Sequence, residues 1–270
     1  MPTVPLNGID LTYDDQGTGD PVVLVMGSGA SRRPWHLHQV PALTAAGHRV
    51  ITLDNRGIPP NEKPAGGITL SAMAGDVLAL VDHLRLPPCR LVGYSLGASI
   101  AAEVLLTRPE AVRQAVLLAG RARVDTFARA VIRAERELAD SGVALPAAHH
   151  AVHSALRYLS PATLRDDQAV QDWLEVFQFA PQPTGPGQLA QLDLDDIGDR
   201  RARYRSIRTP ALCVGFRDDT AVPAAATREL ADCLPNGRYL ELADCGHYGH
   251  LERPAEVNAA LLDFFAGSEA

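Results

Sequence analysis

Gly93-Tyr94-Ser95-Leu96-Gly97 reads G-x-S-x-G. Arg90-Leu91-Val92 leads in, and a small-residue, helix-compatible run from Ala98 to Leu106 leads out. Strand, sharp turn and helix is the context in which a serine becomes the exposed nucleophile at the end of a strand. So tight a turn holds the serine at strained dihedrals, and flanking residues without a β-carbon let strand and helix pass close together. The same five residues also fit a Gly-rich turn with an inert serine, so the rest of the chain has to decide.

Upstream, Gly8 to Asp14 alternates as an antiparallel edge hairpin would, and Gln16 to Pro21 is a turn cluster. Val22-Val23-Leu24-Val25-Met26 does not alternate, as expected for a parallel strand covered on both faces. Gly27-Ser28-Gly29-Ala30-Ser31 follows it directly; small residues there let backbone N–H groups face a cavity, which makes the loop a candidate oxyanion site. His48 to Leu53 is the next strand, ended by the turn Asp54-Asn55-Arg56-Gly57-Ile58-Pro59-Pro60, whose Asp and Arg are read as braces of the loop. Residues 61–68 read as loop, and Thr69 caps a helix with an apolar stripe from Leu70 to Leu84. After the Ser95 segment, Val112 to Ala119 is another buried strand.

Then the alternation of strand and helix breaks. From Gly120 to about Arg208 the pattern is helical: Phe127, Val131, Ala134 and Leu138 mark one stripe, Val152, Ala155, Leu156 and Leu159 a second, Val170, Trp173, Leu174 and Phe177 another. A short helix starts near Ser160-Pro161, and Pro181 to Gly187 reads as a loop or hinge. The sheet resumes with Ala211 to Phe216, and Arg238 to Leu242 is the last strand. Pro254 opens a C-terminal helix with Val257, Leu261, Phe264 and Phe265 facing inward. The expectation is a doubly wound, mostly parallel eight-stranded sheet with helices on both faces: residues 1–120 and 209–270 as core, and 121–208 as an inserted helical lid.

The bulk properties agree with one globular enzyme-sized unit. The chain has 270 residues and a formal charge of −7, with no basic run that would follow a nucleic-acid backbone. The amino terminus lacks the charged-then-apolar pattern of a signal peptide, and no apolar run reaches membrane-spanning length. Cys89, Cys213, Cys233 and Cys245 are scattered, without C-x-x-C, which reads as reduced thiols in the cytoplasm. His149, His150, His153, His247 and His250 lack the carboxylate or cysteine spacing that would complete a metal site, so no metal or cofactor is expected. The expected partner is a small-molecule substrate, not nucleic acid or a membrane; the sequence leaves monomer and homodimer open.

Ligands of a doubly wound sheet sit at the carboxyl ends of its strands, and Ser95, Asp218 or Asp219, and His247 all fall there. Their chain order, Ser–Asp–His, differs from the orders of the two unrelated serine-protease folds. On these residues, with Asp54-Asn55-Arg56-Gly57, the Gly27-Ser28-Gly29 loop, Asp219 with Pro223, and Gly246-His247 followed by Glu252-Arg253-Pro254, the sequence resembles the α/β-hydrolase fold, in its esterase, lactonase and cofactor-free haloperoxidase-like group. The Met26 to Ala30 loop, the Asp54 to Pro60 turn and the Gly246 to Pro254 ending resemble, more loosely, hydrolases of actinobacterial natural-product pathways. Two departures stand out. Met26-Gly27 replaces the family's usual His-Gly, and Ile58-Pro59-Pro60-Asn61 replaces its second Gly and Ser.

Set against the family's pattern, the Gly-x-x-Asp count from Gly215 selects Asp218, while the count from the strand-opening Pro210, and the Pro223 four residues after the acid, select Asp219. The resemblance implies Ser95 as nucleophile, His247 as base, Asp219 as its orienter, and the backbone N–H groups of Ser28 and Leu96 as oxyanion donors. Gly27, Tyr94, Trp173 and Phe177 are expected at the substrate, with Phe179 and His250 as further candidates; for Trp173, Phe177 and Phe179, each taken alone, a place in a packed core is the commoner reading of a stripe at helical spacing. The reaction it implies is acyl transfer from an ester, thioester or lactone to water, possible substrates including a biosynthetic intermediate. Non-hydrolytic use of the same pocket (cyclisation, elimination, carbon–carbon cleavage), or use as a ligand-binding receptor, is the alternative.

Overall fold

The computed structural model describes residues 2–61, 67–179 and 185–267. The aliphatic runs become β1 (Thr3–Leu6), β2 (Ile9–Gln16), β3 (Pro21–Val25), β4 (Arg49–Leu53), β5 (Cys89–Tyr94), β6 (Val112–Leu118), β7 (Ala211–Phe216) and β8 (Gly237–Leu242). They form one sheet in the order β1-β2-β4-β3-β5-β6-β7-β8. The β1/β2 and β2/β4 pairs are antiparallel and the other pairs parallel. Every residue of β3, β5 and β7 is buried, which is why these strands are continuous apolar runs. The edge strand β1 alternates between exposed and half-buried positions.

Helices cover both faces. On one side lie α1 (Trp35–Ala45) and, at the end of the chain, a helix that opens at Pro254; on the other lie α2 (Leu70–His83) and α3 (Leu96–Thr107). Thr69 caps α2 by accepting from the Ala72 N–H at 3.1 Å. Among the described residues, six helices lie between β6 and β7: α4 (Thr126–Asp140), α5 (Ala147–Tyr158), α6 (Pro161–Leu164), α7 (Asp167–Phe179), α8 (Pro186–Leu194) and α9 (Arg201–Tyr204). The chain then completes the core with α10 (Ala224–Cys233), the single turn α11 (Gly249–Glu252) and α12 (Pro254–Ala266), the helix opened by Pro254. Among the described residues no helix is long and apolar enough to cross a membrane.

The insertion departs from the sequence stripes. Phe127 and Leu138 of α4 are exposed, and its inward contacts come from Ala128 and Ile132. Val152 and Leu156 of α5 also face solvent, while Ala151, Ser154 and Ala155 are buried. On α5 the buried face is lined by small residues, which leave larger apolar side chains outside; α4 has no fully buried residue and rests on the core through one small and one branched side chain. The Gly185-Pro186-Gly187 part of the expected hinge is instead the start of α8, with Pro186 in the first turn, where its missing N–H costs nothing. Pro181 to Thr184 of that hinge lie outside the described residues. A β-carbon on Gly187 would collide with the backbone of Gly57, so two glycines allow α8 to rest on the turn after β4.

Candidate active site

Ser95 follows the last residue of β5 and carries φ +54°, ψ −117°, a strained backbone for a residue with a β-carbon. Its N–H is held by the Leu118 carbonyl at 2.9 Å. A β-carbon on Gly93 would strike the Gly97 carbonyl, and one on Gly97 would strike the Val25 carbonyl. Both glycines of the pentapeptide are therefore required by close backbone approach, which holds Ser95 up at the strand end.

The loop after β7 supplies the acid. Asp219 is 4% exposed, and its Oδ1 accepts the N–H groups of Ala221 and Val222, each at 2.8 Å. Its Oδ2 lies 2.7 Å from Nδ1 of His247, and Nε2 of His247 lies 3.1 Å from Ser95 Oγ. A carboxylate only accepts hydrogen bonds, so this pairing puts the imidazole proton on Nδ1 and leaves Nε2 to accept from the serine hydroxyl. Asp218, one residue earlier, is half-buried and its carboxyl makes no hydrogen bond or ion pair among the described residues.

The loop carrying His247 is fixed from two directions. Tyr94 Oη donates to the His247 carbonyl at 3.0 Å. Glu252 accepts from the Gly246 N–H at 2.6 Å with one oxygen, and from the Ser160 N–H and Thr163 hydroxyl at 2.8 and 2.6 Å with the other. One carboxylate thus ties the histidine loop to the α5–α6 junction.

Gly27 crosses directly over the serine: a β-carbon there would lie 3.1 Å from Ser95 Cβ. Among the described residues neither the Ser28 N–H nor the Leu96 N–H has a hydrogen-bond partner, and the Ser28 hydroxyl is buried without one. The next N–H, that of Gly29, is taken by Gln191 Oε1 at 2.8 Å, and Gln191 Nε2 donates to the Arg56 carbonyl at 2.8 Å. Gln188 adds a bond to the Gly29 carbonyl at 3.2 Å. Helix α8 therefore grips the Gly27–Gly29 loop. The same loop is braced from below by Asn55, whose side chain donates to the Met26 carbonyl at 2.8 Å. Asp54 accepts from the Arg32 guanidinium and N–H, and Arg56 pairs with buried Asp76. Burial raises the pKa of both Asp54 and Asp76, against the opposing pull of these arginines.

Several expected substrate contacts are placed elsewhere. Tyr94 is buried beneath the site between Trp35, His247 and His250, with its hydroxyl occupied, and burial pushes its pKa well up. His250 is fully buried at 4.3 Å from the Tyr94 ring, with neither ring nitrogen bonded, and burial lowers its pKa to about 3. Phe177 is buried and stacks on Trp173 in a small cluster with Ala151, Ala155 and Leu159. Those two rings reach His247 only through Tyr158 and Tyr248, which stack on each other at 5.0 Å. Phe179 is exposed. The helical stripe that suggested these aromatics encodes packing inside the insertion, not contact with the serine.

The cavity at the serine is small, about 10 Å³, and is lined by Ser95, Leu96, Ser99, Arg121, Leu194, Asp195 and Ile197. Arg121, Asp195, Gln191, Tyr158 and Tyr248 carried no sequence signal of their own, because each reaches the site from an irregular segment or the insertion. A cleft of about 300 Å³ on the other side of Leu194 and Ile197 contains none of Ser95, Asp219 and His247, and its charges, Glu103 with Arg200 and Arg203, are paired. Cys245, next to the histidine loop, is fully buried, and burial raises its thiol to about 12, which leaves it a packed residue rather than a nucleophile.

Known proteins show the same arrangement of chain. The profile of the alpha/beta hydrolase fold matches residues 20–254. The provisionally named non-heme bromoperoxidase BpoC of Mycobacterium tuberculosis (strain CDC 1551 / Oshkosh) is 48% identical over 97% of this chain and 100% of its own. The crystal structure of BpoC from strain H37Rv superposes with a TM-score of 0.94 over 97% of each chain, at 48% identity. The provisionally named carbamate hydrolase RutD of Variovorax paradoxus is 30% identical over 95% of this chain and 96% of its own. This chain belongs to the α/β-hydrolase fold family.

Proposed function

We propose that this protein is a serine hydrolase that cleaves an ester, thioester or lactone of a small organic molecule through an acyl-enzyme on Ser95. The observation that carries the reading is the line of contacts from Asp219 through His247 to Ser95, at 2.7 and 3.1 Å, beside two unpartnered backbone N–H groups. Ser95 Oγ attacks the acyl carbonyl while His247 Nε2 takes its proton. The imidazolium that forms is held by Asp219, and the negative oxygen of the tetrahedral intermediate lies against the Ser28 and Leu96 N–H groups. The carbonyl re-forms as the bond to the leaving group breaks, and His247 gives its proton to the departing oxygen or sulfur. Water, deprotonated by His247, attacks the acyl-enzyme; the carbonyl re-forms as Ser95 takes back the proton, and the acid leaves. In this reading α4 to α9 act as a lid over the site. A carbamate carbonyl, as in the name of the RutD relatives, would enter the same sequence; the bromoperoxidase name of BpoC belongs to a different net reaction.

The test is direct. A p-nitrophenyl ester of a short acid should give a burst of p-nitrophenol equal to the enzyme present, and a fluorophosphonate should label Ser95. Ser95→Ala should lower kcat by about 10⁴ to 10⁶-fold. No adduct, no burst and an unaffected Ser95→Ala variant would remove the acyl-enzyme and leave the non-hydrolytic reading in its place.

A further inference from the structure

Arg121 and Asp195 face the same small cavity as Ser95, yet they do not pair. Elsewhere the protein closes such pairs: Arg32 on Asp54, Arg56 on Asp76, Arg49 on Asp15. Here the Asp195 carboxyl has no hydrogen bond and no ion pair among the described residues, and the guanidinium of Arg121 reaches only the Ala221 carbonyl, at 3.5 Å. Asp195 is the residue after α8, whose Gln191 holds the Gly27–Gly29 loop, so its place relative to the serine is fixed by the same helix. The Asp195 carboxylate keeps contact with solvent, so a ligand that displaces that water has to offer it a donor in exchange.

We propose that Asp195 and Arg121 form the acyl-group subsite of this cleft and select substrates with a hydroxyl on the carbon next to the scissile carbonyl. This rests on the acyl-enzyme reading and names its substrate class. Size and chemistry lead to it separately. A cavity of about 10 Å³ holds roughly one water-sized group. Because it touches Ser95 itself, it reaches only the first atoms attached to the acyl carbon. A hydroxyl is a group of that size that both donates, to the Asp195 carboxylate, and accepts, from the Arg121 guanidinium. A methyl there would partner neither charge, and an ammonium, though it could donate to Asp195, would offer Arg121 no acceptor and meet it with like charge. Leu96, Leu194 and Ile197 line the remaining wall and suit the rest of a short acyl chain. Asp195 keeps partial exposure to solvent, but the protein around it raises its pKa to about 6, with Arg121, His247 and Arg157 as the charges that oppose the rise. Above that pH it is the charged acceptor that the subsite needs.

The experiment compares phenyl lactate with phenyl isobutyrate, which differ by hydroxyl against methyl, and with phenyl alaninate. The measured quantity is kcat/KM, divided by the uncatalysed reactivity of each ester. Wild type should favour lactate over isobutyrate by about 100-fold, within the range by which a site that binds a hydroxyl rejects its apolar isostere, and should disfavour alaninate. Asp195→Ala should lower the lactate preference at least tenfold, and Arg121→Met should lower it while lifting the penalty on alaninate. Asp195→Asn, the same size as the native side chain, covers the case in which Asp195→Ala fails to fold, and should also lower the preference. A lactate preference that is absent in wild type, or equal in wild type and Asp195→Asn, overturns the subsite while fluorophosphonate labelling of Ser95 leaves the hydrolase reading standing. Labelled Ser95 without turnover of phenyl lactate overturns it too. If Ser95 is neither labelled nor acylated by any of the three esters, the hydrolase reading falls and the subsite falls with it.

Discussion

The sheet core and the helical insertion are built on different principles. In the core, β3, β5 and β7 are buried along their whole length, and the helices against them contribute large side chains such as Met73, Leu80, Trp35 and Phe265. In the insertion, α4 has no buried residue, and among the described residues seven of the eight large exposed hydrophobic ones (all but Leu37) belong to residues 121–208. The core holds itself by burial of apolar surface. The insertion buries less: Ala151, Ala155, Leu159 and Phe177 form a small cluster of their own, and Val124, Ile197, Tyr204 and Ile207 join the main core. Polar anchors add to this burial, and two of them end on the site: Gln191 on the Gly27–Gly29 loop, Glu252 between the histidine loop and the α5–α6 junction. The insertion is therefore tied by side-chain hydrogen bonds to both loops that flank the proposed nucleophile. Substitutions in the core should change stability, and those at the anchors should change stability and rate together.

The largest expected effect belongs to the core's own polar line. Asp219→Asn should lower kcat by about 10⁴-fold, because the amide favours the imidazole tautomer that cannot accept the serine proton. Asp218→Asn should change kcat less than tenfold, since its carboxyl touches nothing. Steady-state kinetics on any turned-over ester compares the two; equal losses would break the assignment. Next comes the anchor. Gln191→Leu should leave the Gly29 N–H and the Arg56 carbonyl unsatisfied and destabilise the fold by about 2–4 kcal/mol. It should also lower kcat by roughly 10 to 100-fold with little change in KM, because a displaced Ser28 N–H is missed mainly in the transition state. Leu80→Ala, a core control, should cost a similar 2–5 kcal/mol in chemical denaturation while the folded enzyme keeps its kcat. A Gln191→Leu enzyme with wild-type kcat would show that α8 merely covers the loop.

Much of this could be read before the structure. The apolar runs of β3, β5, β6 and β7 announced buried parallel strands, and Ser95, Asp219 and His247, named from chain order and spacing, stand within hydrogen-bond distance of one another. These features are local: a strand's burial and a turn's glycines are written in consecutive residues. The insertion was legible as helices, but the faces of α4 and α5 were not, because the inward positions are Ala128 and Ile132 on α4 and Ala151, Ser154 and Ala155 on α5, and small residues carry no stripe. Trp173 and Phe177 do carry one, and of the two roles such a stripe allows, substrate wall or packed core, it encodes the packing cluster. Arg121 and Asp195 come together only through the path of the chain between β6 and α9, which no local pattern specifies.

A smaller effect separates the two regions by pH. His250 is buried among Trp35 and Tyr94 with its pKa lowered to about 3, so the folded protein leaves it neutral where the unfolded chain, near 6.5, takes up a proton. Protons then favour the unfolded state, and stability should fall by about 1.4 kcal/mol per pH unit between roughly pH 6 and 3 from this residue alone. Asp195 has the opposite sign. Its raised pKa means that the unfolded chain loses the proton first, so its cost grows as pH rises from about 4 to 6 and stays in place above. Denaturation of His250→Phe should show the acid slope reduced by one proton, and Asp195→Asn should gain stability only above about pH 5. A His250→Phe variant with an unchanged slope would mean that the imidazole finds a proton partner in the folded protein.

The smallest expected effect tests the insertion's outer face. Val152 and Leu156 are exposed on α5, and Val176 and Phe179 on α7. If these side chains bear only on solvent, Leu156→Ser and Phe179→Ser should each shift unfolding by no more than about 0.5 kcal/mol, as for other surface positions without a specific contact. Leu159, three residues beyond Leu156, is buried, and Leu159→Ala should cost about 2–5 kcal/mol by leaving a cavity against Phe177 and Ala155. The ratio of the two measures how sharply α5 divides inside from outside. Should Leu156→Ser destabilise as much as Leu159→Ala, the outer face would be packed in solution, and the insertion would belong to the same class of structure as the core it is contrasted with.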